Sequence, residues 1–111
     1  MSGKDEIVLR KIVAYIDDAL TYTAGLDYDG FIADGKTMAA TAFIIGQIGE
    51  LSKSVSEEIQ RTNPQISWVG MRGLRNRIVH DYENIDLTKL WEVITLNLIE
   101  LREQLNEIFR G

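Results

Sequence analysis

One short segment, RNRIVHDY at residues 75–82, brings together a guanidinium, a carboxamide, an imidazole and a phenol. Arg75 is suited to binding a phosphate, and Asn76 can donate or accept a hydrogen bond beside it. His80 is the only histidine of the chain, and histidine is the side chain whose ordinary pKa lies nearest neutrality. A phosphate-seeking cation near a single proton-transfer group suggests chemistry on a phosphodiester.

The same segment lies in the longest stretch of the chain without a carboxylate. Residues 59–80 contain no Asp or Glu, but they contain four arginines: Arg61, Arg72, Arg75 and Arg77. The whole chain has a net charge of −5, so bulk positive potential cannot drive indiscriminate binding to nucleic acid. The pattern indicates a small, focused anion site. Alternatively, these guanidiniums form ion pairs with acidic residues of neighbouring helices.

Metal-free RNA cleavage needs a base for the 2′-hydroxyl proton, an acid for the leaving 5′-oxygen, and a cation for the phosphate charge. A chain with one histidine can supply two imidazoles to one cleft only as a symmetric pair. In one continuous helix, Arg75 and His80 would point about 140° apart. Either the helix ends before His80, or a second copy of the chain completes the site.

A purely structural interpretation of the motif remains open. A lone histidine near a helix end is commonly a capping or surface residue. Arg75 could pair with Asp81 or Glu83. Tyr82 could be a core aromatic with a satisfied hydroxyl.

Composition limits the function classes. The chain has no cysteine, which excludes disulfides, thiolate metal sites and a cysteine nucleophile, and one histidine cannot build an ordinary zinc site. No segment has the pattern of a secretory signal or the length of a membrane span, so we expect a cytoplasmic protein. The apolar fraction of 45% and charged fraction of 26% are typical of a globular protein, and we expect one domain over residues 1–111.

Helical periodicity runs along nearly the whole chain and predicts an all-α, antiparallel four-helix-type bundle. The predicted elements are a helix at 5–23, a loop at 25–35, helices at 36–61 and 66–79, and a last helix from 87 with Asp86 as its N-cap. Small residues on the second helix would let another helix approach closely: Ala39, Ala40, Ala42, Gly46 and Gly49. Trp68 and Trp91 are expected to pack in the core rather than stack on bases.

The motif Arg75-Asn76-x-x-x-His80-x-Tyr82 resembles the signature of HEPN-domain proteins of the HepT toxin type. The flanking residues have the order and approximate spacing expected of that family: Pro64, Ile66-Ser67-Trp68, Gly70-Met71-Arg72, Asn84-Ile85-Asp86-Leu87 and Trp91. The resemblance covers most of the chain. It implies a HEPN-like helical homodimer, with the motif facing the partner copy in a cleft and a short additional helical segment allowed.

The resemblance further implies a metal-independent ribonuclease toxin that acts on RNA, including transfer RNA, and needs no cofactor of its own. Arg75 would bind and polarise the scissile phosphate, Asn76 would orient it or the 2′-hydroxyl, and His80 would transfer protons. Arg72 and Arg77 would add weaker phosphate contacts.

The partner that the resemblance implies is a minimal nucleotidyltransferase (MNT) antitoxin, which would use ATP to transfer AMP onto Tyr82. AMP would add bulk and negative charge where the RNA phosphate should bind. Two alternatives remain: a non-catalytic helical module that binds and positions a nucleotidyltransferase, and a nucleotide-binding helper whose arginines hold the phosphates of a small ligand.

Overall fold

The structure is a computed structural model that describes residues 1–81 and 84–111. Its helices are α1 (Gly3–Thr23), α2 (Tyr28–Ile32), α3 (Gly35–Ser52), α4 (Glu57–Thr62), α5 (Trp68–Arg72), α6 (Leu74–Ile78), α7 (Leu87–Glu92) and α8 (Leu98–Arg110). A π-helical turn, Val93–Asn97, joins α7 to α8. Two short antiparallel strands, β1 (Val79–Asp81) and β2 (Asn84–Ile85), lie between α6 and α7. The predicted all-α class is confirmed.

The core forms where α1 packs along α3, with α8 and the π turn against α1 and with α5 and α6 against α3. The buried residues of the three long helices repeat at helical spacing, and they include Leu9, Ile12 and Ile16 on α1, Ile44, Ile45 and Ile48 on α3, and Leu98 and Leu105 on α8. Gly25, with a φ of 79°, follows the end of α1 in the left-handed conformation that glycine adopts easily. In the described part of the chain, no helix is long and apolar enough to cross a membrane.

The prediction of an uninterrupted loop at residues 25–35 is wrong, because α2 forms inside it. The Asp27 carboxylate caps this helix by accepting a hydrogen bond of 2.8 Å from the Gly30 backbone N–H. Phe31 is fully buried and packs on Trp91, with ring centroids 4.9 Å apart. Burial of one aromatic side chain therefore outweighs the turn preference of the surrounding glycines and aspartates.

The single helix predicted at 36–61 is also wrong, because the chain divides into α3 and α4. Ser56 is the N-cap of α4, and its hydroxyl accepts a hydrogen bond of 3.3 Å from the Ile59 N–H. The buried Asp5 of α1 accepts hydrogen bonds from the Ser56 N–H at 2.9 Å and from the Ser56 hydroxyl at 2.7 Å. A contact between residues far apart in sequence thus fixes where α4 begins.

The helix predicted at 66–79 divides at Gly73 into α5 and α6, and it ends at Ile78 rather than Val79. Trp68 is buried and its Nε1–H donates to the Asn63 carbonyl at 3.0 Å, which holds the start of α5 against the end of α4. The two strands that follow were not predicted, since segments of two or three residues are too short to show an alternating pattern.

The Asp5–Ser56 contact should make the stability of the fold depend on pH. The Ser56 hydroxyl is the main cause of a lowered pKa for the Asp5 carboxyl; burial opposes this effect and the Ser56 backbone N–H reinforces it. Because the pKa is lowered in the folded state, the contact stabilises the fold above the ordinary carboxyl pKa. The stabilisation is lost as the pH falls through the folded-state value.

We predict that Asp5→Ala lowers the free energy of unfolding by about 2 kcal/mol near neutral pH, because two partly buried donors of Ser56 lose their acceptor. Urea denaturation at several pH values measures the effect. The difference from wild type should shrink below about pH 4, where wild type loses the same contact. Asp18→Ala, on an exposed site of the same helix, is the control. A difference from wild type that stays constant with pH would contradict the assignment.

Candidate active site

The short helix α6 presents the first half of the motif. Leu74 and Ile78, four residues apart, are buried and fix α6 to the core. Arg75, Asn76 and Arg77 lie between them and are exposed. The helix therefore directs three consecutive polar side chains toward solvent from a rigid base.

The Arg75 side chain lies across α3 at Gly46. A Cβ built on Gly46 would lie 3.5 Å from Arg75 Cδ and 4.0 Å from its Nε. At Gly49, a Cβ would lie 3.5 Å from the carbonyl oxygens of both Met71 and Arg72. The predicted close approach of another helix is confirmed at these two glycines, which leave room for α5 and for the Arg75 side chain.

His80 lies just beyond the end of α6, in an irregular strand. The Val79 N–H still donates to the Arg75 carbonyl and so closes the helix. Val79 pairs with Ile85 and Asp81 pairs with Asn84, so His80 is the extra residue of a β-bulge. Its side chain is exposed. Of the two arrangements that the spacing left open, the helix does end before His80, so the fixed separation of about 140° does not apply.

A backbone hydrogen bond of 2.8 Å from the Asp86 N–H to the Ile78 carbonyl joins the far end of the hairpin to the end of α6. The Asp86 carboxylate accepts a hydrogen bond of 2.9 Å from the Lys89 N–H and caps α7, as predicted. Asp86 thus connects the end of α6 with the start of α7. The backbone on both sides of His80 is fixed by these contacts.

The other arginines of the acid-free stretch have separate positions. Arg72 is half-buried and donates a hydrogen bond of 3.1 Å to the Gln60 side-chain oxygen, which connects α5 to α4. Arg77 lines a cleft beside α8. Arg61 is exposed on α4. The structure therefore does not bring the four arginines together, and phosphate binding by Arg72 and Arg77 stays a prediction.

The ion pairs among the described side chains involve other cations, including Arg10 with Glu6 and Arg102 with Asp17. Pairing of the four arginines with neighbouring helices is therefore not observed among these residues. The alternative partners of Arg75, the Asp81 and Glu83 side chains, lie outside the described residues, and so does Tyr82. Among residues that the structure does describe, no group of three or more His, Asp or Glu could hold a metal ion.

Both tryptophans are packed, as predicted. Trp68 is buried beneath α5. Trp91 is half-buried between Phe31 and Tyr28, the latter with its ring centroid 6.4 Å away. Neither side chain is a free surface for base stacking.

The family model described as "Ribonuclease HepT-like" matches residues 12–108, which include both halves of the motif. The chain belongs to the HepT-like ribonuclease family. The resemblance drawn from the motif and its flanks is confirmed.

Several relatives match over nearly their whole length. "Putative RNase MJ0125" of Methanocaldococcus jannaschii is 26% identical over 102 residues, covering 92% of this chain and 88% of the relative. "Putative RNase MJ1380" of the same organism is 28% identical over 105 residues, covering 94% and 96%. "Probable ribonuclease HepT" of Thermococcus cleftensis is 26% identical over 100 residues, covering 90% and 91%. No solved structure gives a significant match.

The contact of Arg75 with Gly46 can be tested by filling the space. Gly46→Ala places its Cβ at an ordinary contact distance, so we expect the fold to be retained with stability raised by up to about 1 kcal/mol. Gly46→Leu should displace the Arg75 side chain and lower ribonuclease activity by at least about tenfold.

Thermal unfolding and an RNA-cleavage assay measure the two effects. The control is Ala39→Leu, which places a leucine side chain at an exposed position of α3. Full activity in a folded Gly46→Leu variant would show that RNA cleavage does not depend on the position of Arg75 against α3.

Proposed function

We propose that this chain is the ribonuclease toxin of a HepT/MNT toxin–antitoxin module and cleaves RNA, with transfer RNA a candidate target, without a metal ion. The observation that carries the proposal is the placement of Arg75 and Asn76 on the last turn of α6 directly before His80 in its bulge. All three side chains are exposed, and the buried Leu74 and Ile78 fix the helix that carries the first two. Family membership and the names of the relatives support the same activity.

The proposed reaction uses the 2′-hydroxyl of the RNA as the nucleophile. An imidazole takes its proton, the 2′-oxygen bonds to phosphorus, and the bond to the 5′-oxygen breaks. The leaving oxygen takes a proton from an imidazolium, which leaves a cyclic phosphate and a free 5′-hydroxyl. Arg75 stabilises the charge on the phosphate oxygens, and Asn76 orients the phosphate or the 2′-hydroxyl.

Two proton transfers on opposite sides of one phosphate favour two imidazoles, so we place the reaction in a homodimer whose copies face each other at the motif. Phe43 supports this arrangement. It lies one turn before Gly46 on α3, and hence on the face where Arg75 lies, and its side chain is 60% exposed. A partner copy there would cover an apolar side chain next to the guanidinium.

The proposed regulation rests on the position of Tyr82 in the sequence of the motif. A minimal nucleotidyltransferase antitoxin would transfer AMP from ATP onto Tyr82, two residues after His80. The added phosphate would bring negative charge beside the cation that should receive the RNA phosphate. The nucleotidyltransferase therefore needs ATP, whereas the toxin needs no cofactor.

A second candidate function is a non-catalytic module that binds and positions the nucleotidyltransferase. Leu96 of the π turn and Ile99 of α8 favour it. Both apolar side chains are exposed and could be covered by a partner protein. Purified dimer that cleaves no RNA at high concentration, yet binds the nucleotidyltransferase tightly, would support this function and contradict the first.

The catalytic assignment predicts that His80→Ala abolishes growth arrest on expression without the partner. It should also slow RNA cleavage by at least about a hundredfold, because the proton-transfer group is lost. Arg75→Ala should have a similar effect, whereas Arg110→Ala removes the same charge at an exposed position paired with Glu107 and should change nothing. Arrest and cleavage that survive His80→Ala would show that the catalytic group lies elsewhere.

Mixing His80→Ala chains with wild-type chains tests the shared cleft. If both imidazoles serve one phosphate, only pure wild-type dimers are active, and an equal mixture should retain about one quarter of the activity. Independent sites would retain about one half. The cleavage rate is measured across mixing ratios after subunit exchange, and a linear dependence would contradict the pooled site.

Co-expression with a minimal nucleotidyltransferase should add AMP to wild-type chain and silence its RNA cleavage. Tyr82→Phe should block the addition because the accepting hydroxyl is gone. Intact-mass measurement gives the readout. Tyr22→Phe, which changes an exposed tyrosine of α1, is the control. Unchanged mass of the wild-type chain beside an active nucleotidyltransferase would count against Tyr82 as the acceptor.

A further inference from the structure

A second feature lies on the opposite side of α6 from the contact of Arg75 with Gly46. It is a cleft of about 240 Å³. The helices α5 and α6 form one wall, and the π turn and α8 form the other. Arg77 lies two residues after Arg75, and two residues of a helix turn the side-chain direction by about 200°. The two guanidiniums therefore leave one helical turn on opposite sides, and Arg77 lines the cleft.

The cleft has an apolar floor and a polar rim. Buried side chains form the floor: Met71, Leu74, Leu98 and Leu101. The rim carries groups that donate or accept hydrogen bonds, among them Arg77, Asn97, Glu100 and Gln104. A hydrogen bond of 3.2 Å from the Gln104 side-chain amide to the Gln65 carbonyl connects the two walls at one point.

The π turn supports a functional role for this cleft. The Leu98 N–H donates to the Val93 carbonyl, five residues back, which inserts one residue into the last helix. Asn97, the last residue of this turn, lines the cleft. Such turns cost helix regularity and occur frequently at functional sites. The insertion changes which side chains of the last helix face the cleft.

We propose that this cleft binds an unpaired RNA base next to the scissile phosphate, with Arg77 holding the phosphate of that nucleotide. The proposal rests on the proposed ribonuclease function and adds a binding site to it. The volume is below the range of roughly 300–1,000 Å³ that drug-sized ligands occupy, which favours a single planar group. An apolar floor suits the face of a base, and the polar rim suits its edge.

The rim chemistry indicates which bases fit. The Glu100 carboxylate only accepts hydrogen bonds when ionised, so it favours a base with an exocyclic amino group. Adenine, cytosine and guanine carry one, whereas uracil offers only its ring N3–H, which is flanked by two carbonyl oxygens that repel a carboxylate. Asn97 and Gln104 can each donate and accept and so complete the contacts to the base edge. We therefore expect uracil to be disfavoured at this position.

RNA is favoured over a peptide as the occupant because of where Arg77 lies. It belongs to the same turn of α6 as Arg75 and Asn76, so a strand that crosses this helix would meet one cation on each side. Among the described side chains, Arg77 has no carboxylate within ion-pair distance. None of the carboxylates that the structure describes therefore neutralises its charge.

Binding of a short, labelled, single-stranded RNA of mixed sequence tests the proposal, with His80→Ala as the background so that the probe is not cleaved. Adding Arg77→Ala should weaken binding by about tenfold. It should also reduce the slope of log affinity against log salt by about 0.7, the value for one lost phosphate contact on a single strand. Adding Arg110→Ala instead should change neither quantity.

Sequencing of cleavage products from the same RNA, using chains with His80 intact, tests base selection. Glu100→Gln should raise the share of cuts next to uracil severalfold, whereas the matched change Glu103→Gln on the same helix should leave the pattern unchanged. Relaxed selection together with the altered salt slope would support the base site.

Failure of the base site and failure of the proposed function give different results. If wild-type chain cleaves RNA while Arg77→Ala and Glu100→Gln leave affinity, salt slope and cut pattern unchanged, the base site is wrong and the ribonuclease stands. If Arg77→Ala instead weakens binding of a nucleotidyltransferase, the cleft belongs to a protein interface and the inference is likewise wrong. Wild-type chain that neither binds nor cleaves RNA would overturn the proposed function itself.

Discussion

The candidate site depends on how closely α5 and α6 approach α3, which is possible because positions 46 and 49 carry no side chain. At Gly49 the neighbours are backbone carbonyls, which cannot rotate away, so this position sets the separation between α5 and α3. At Gly46 the neighbour is the Arg75 side chain, and the free space lets its aliphatic part lie flat on α3. A guanidinium supported in this way loses less freedom when it binds a phosphate than one that extends freely into solvent.

The geometry of the candidate site also depends on where α6 begins and ends. Gly73 separates α6 from α5, and only one turn of helix follows before the chain becomes extended. In a longer helix, the side chains of Arg75 and His80 would point about 140° apart. The bulge after Val79 removes this constraint on the direction of the imidazole. The bond between Asp86 and Ile78 then returns the chain to the last helix. The irregular geometry around His80 is thus supported on both sides by regular hydrogen bonds.

The sequence predicted the helices with strong periodicity, because these depend on local spacing, whereas the roles of the motif residues stay predictions. It did not predict the break before α4, since the Asp5 carboxylate that holds Ser56 lies 51 residues away and no local pattern indicates it. It did not predict α2, whose stability comes from burying Phe31 against Trp91. The contact of Arg75 with Gly46 was missed for the same reason. The small residues were visible in the sequence, but the side chain that would cross them was not.

The charge distribution explains why a strongly acidic chain can belong to a ribonuclease family. Nonspecific attraction to RNA requires cations spread over a surface, and a net charge of −5 opposes it. Here the structure separates the arginines of the acid-free stretch: Arg72 is bonded to Gln60, while Arg75 and Arg77 leave α6 on opposite sides. A strand lying across α6 would meet both of these cations, with the motif residues between them. Long-range repulsion would disfavour RNA bound elsewhere on the protein. Under the proposed function, the acidic surface and the two exposed guanidiniums act together, because repulsion over most of the protein would limit RNA to the one place where contact with Arg75, Asn76 and His80 is possible.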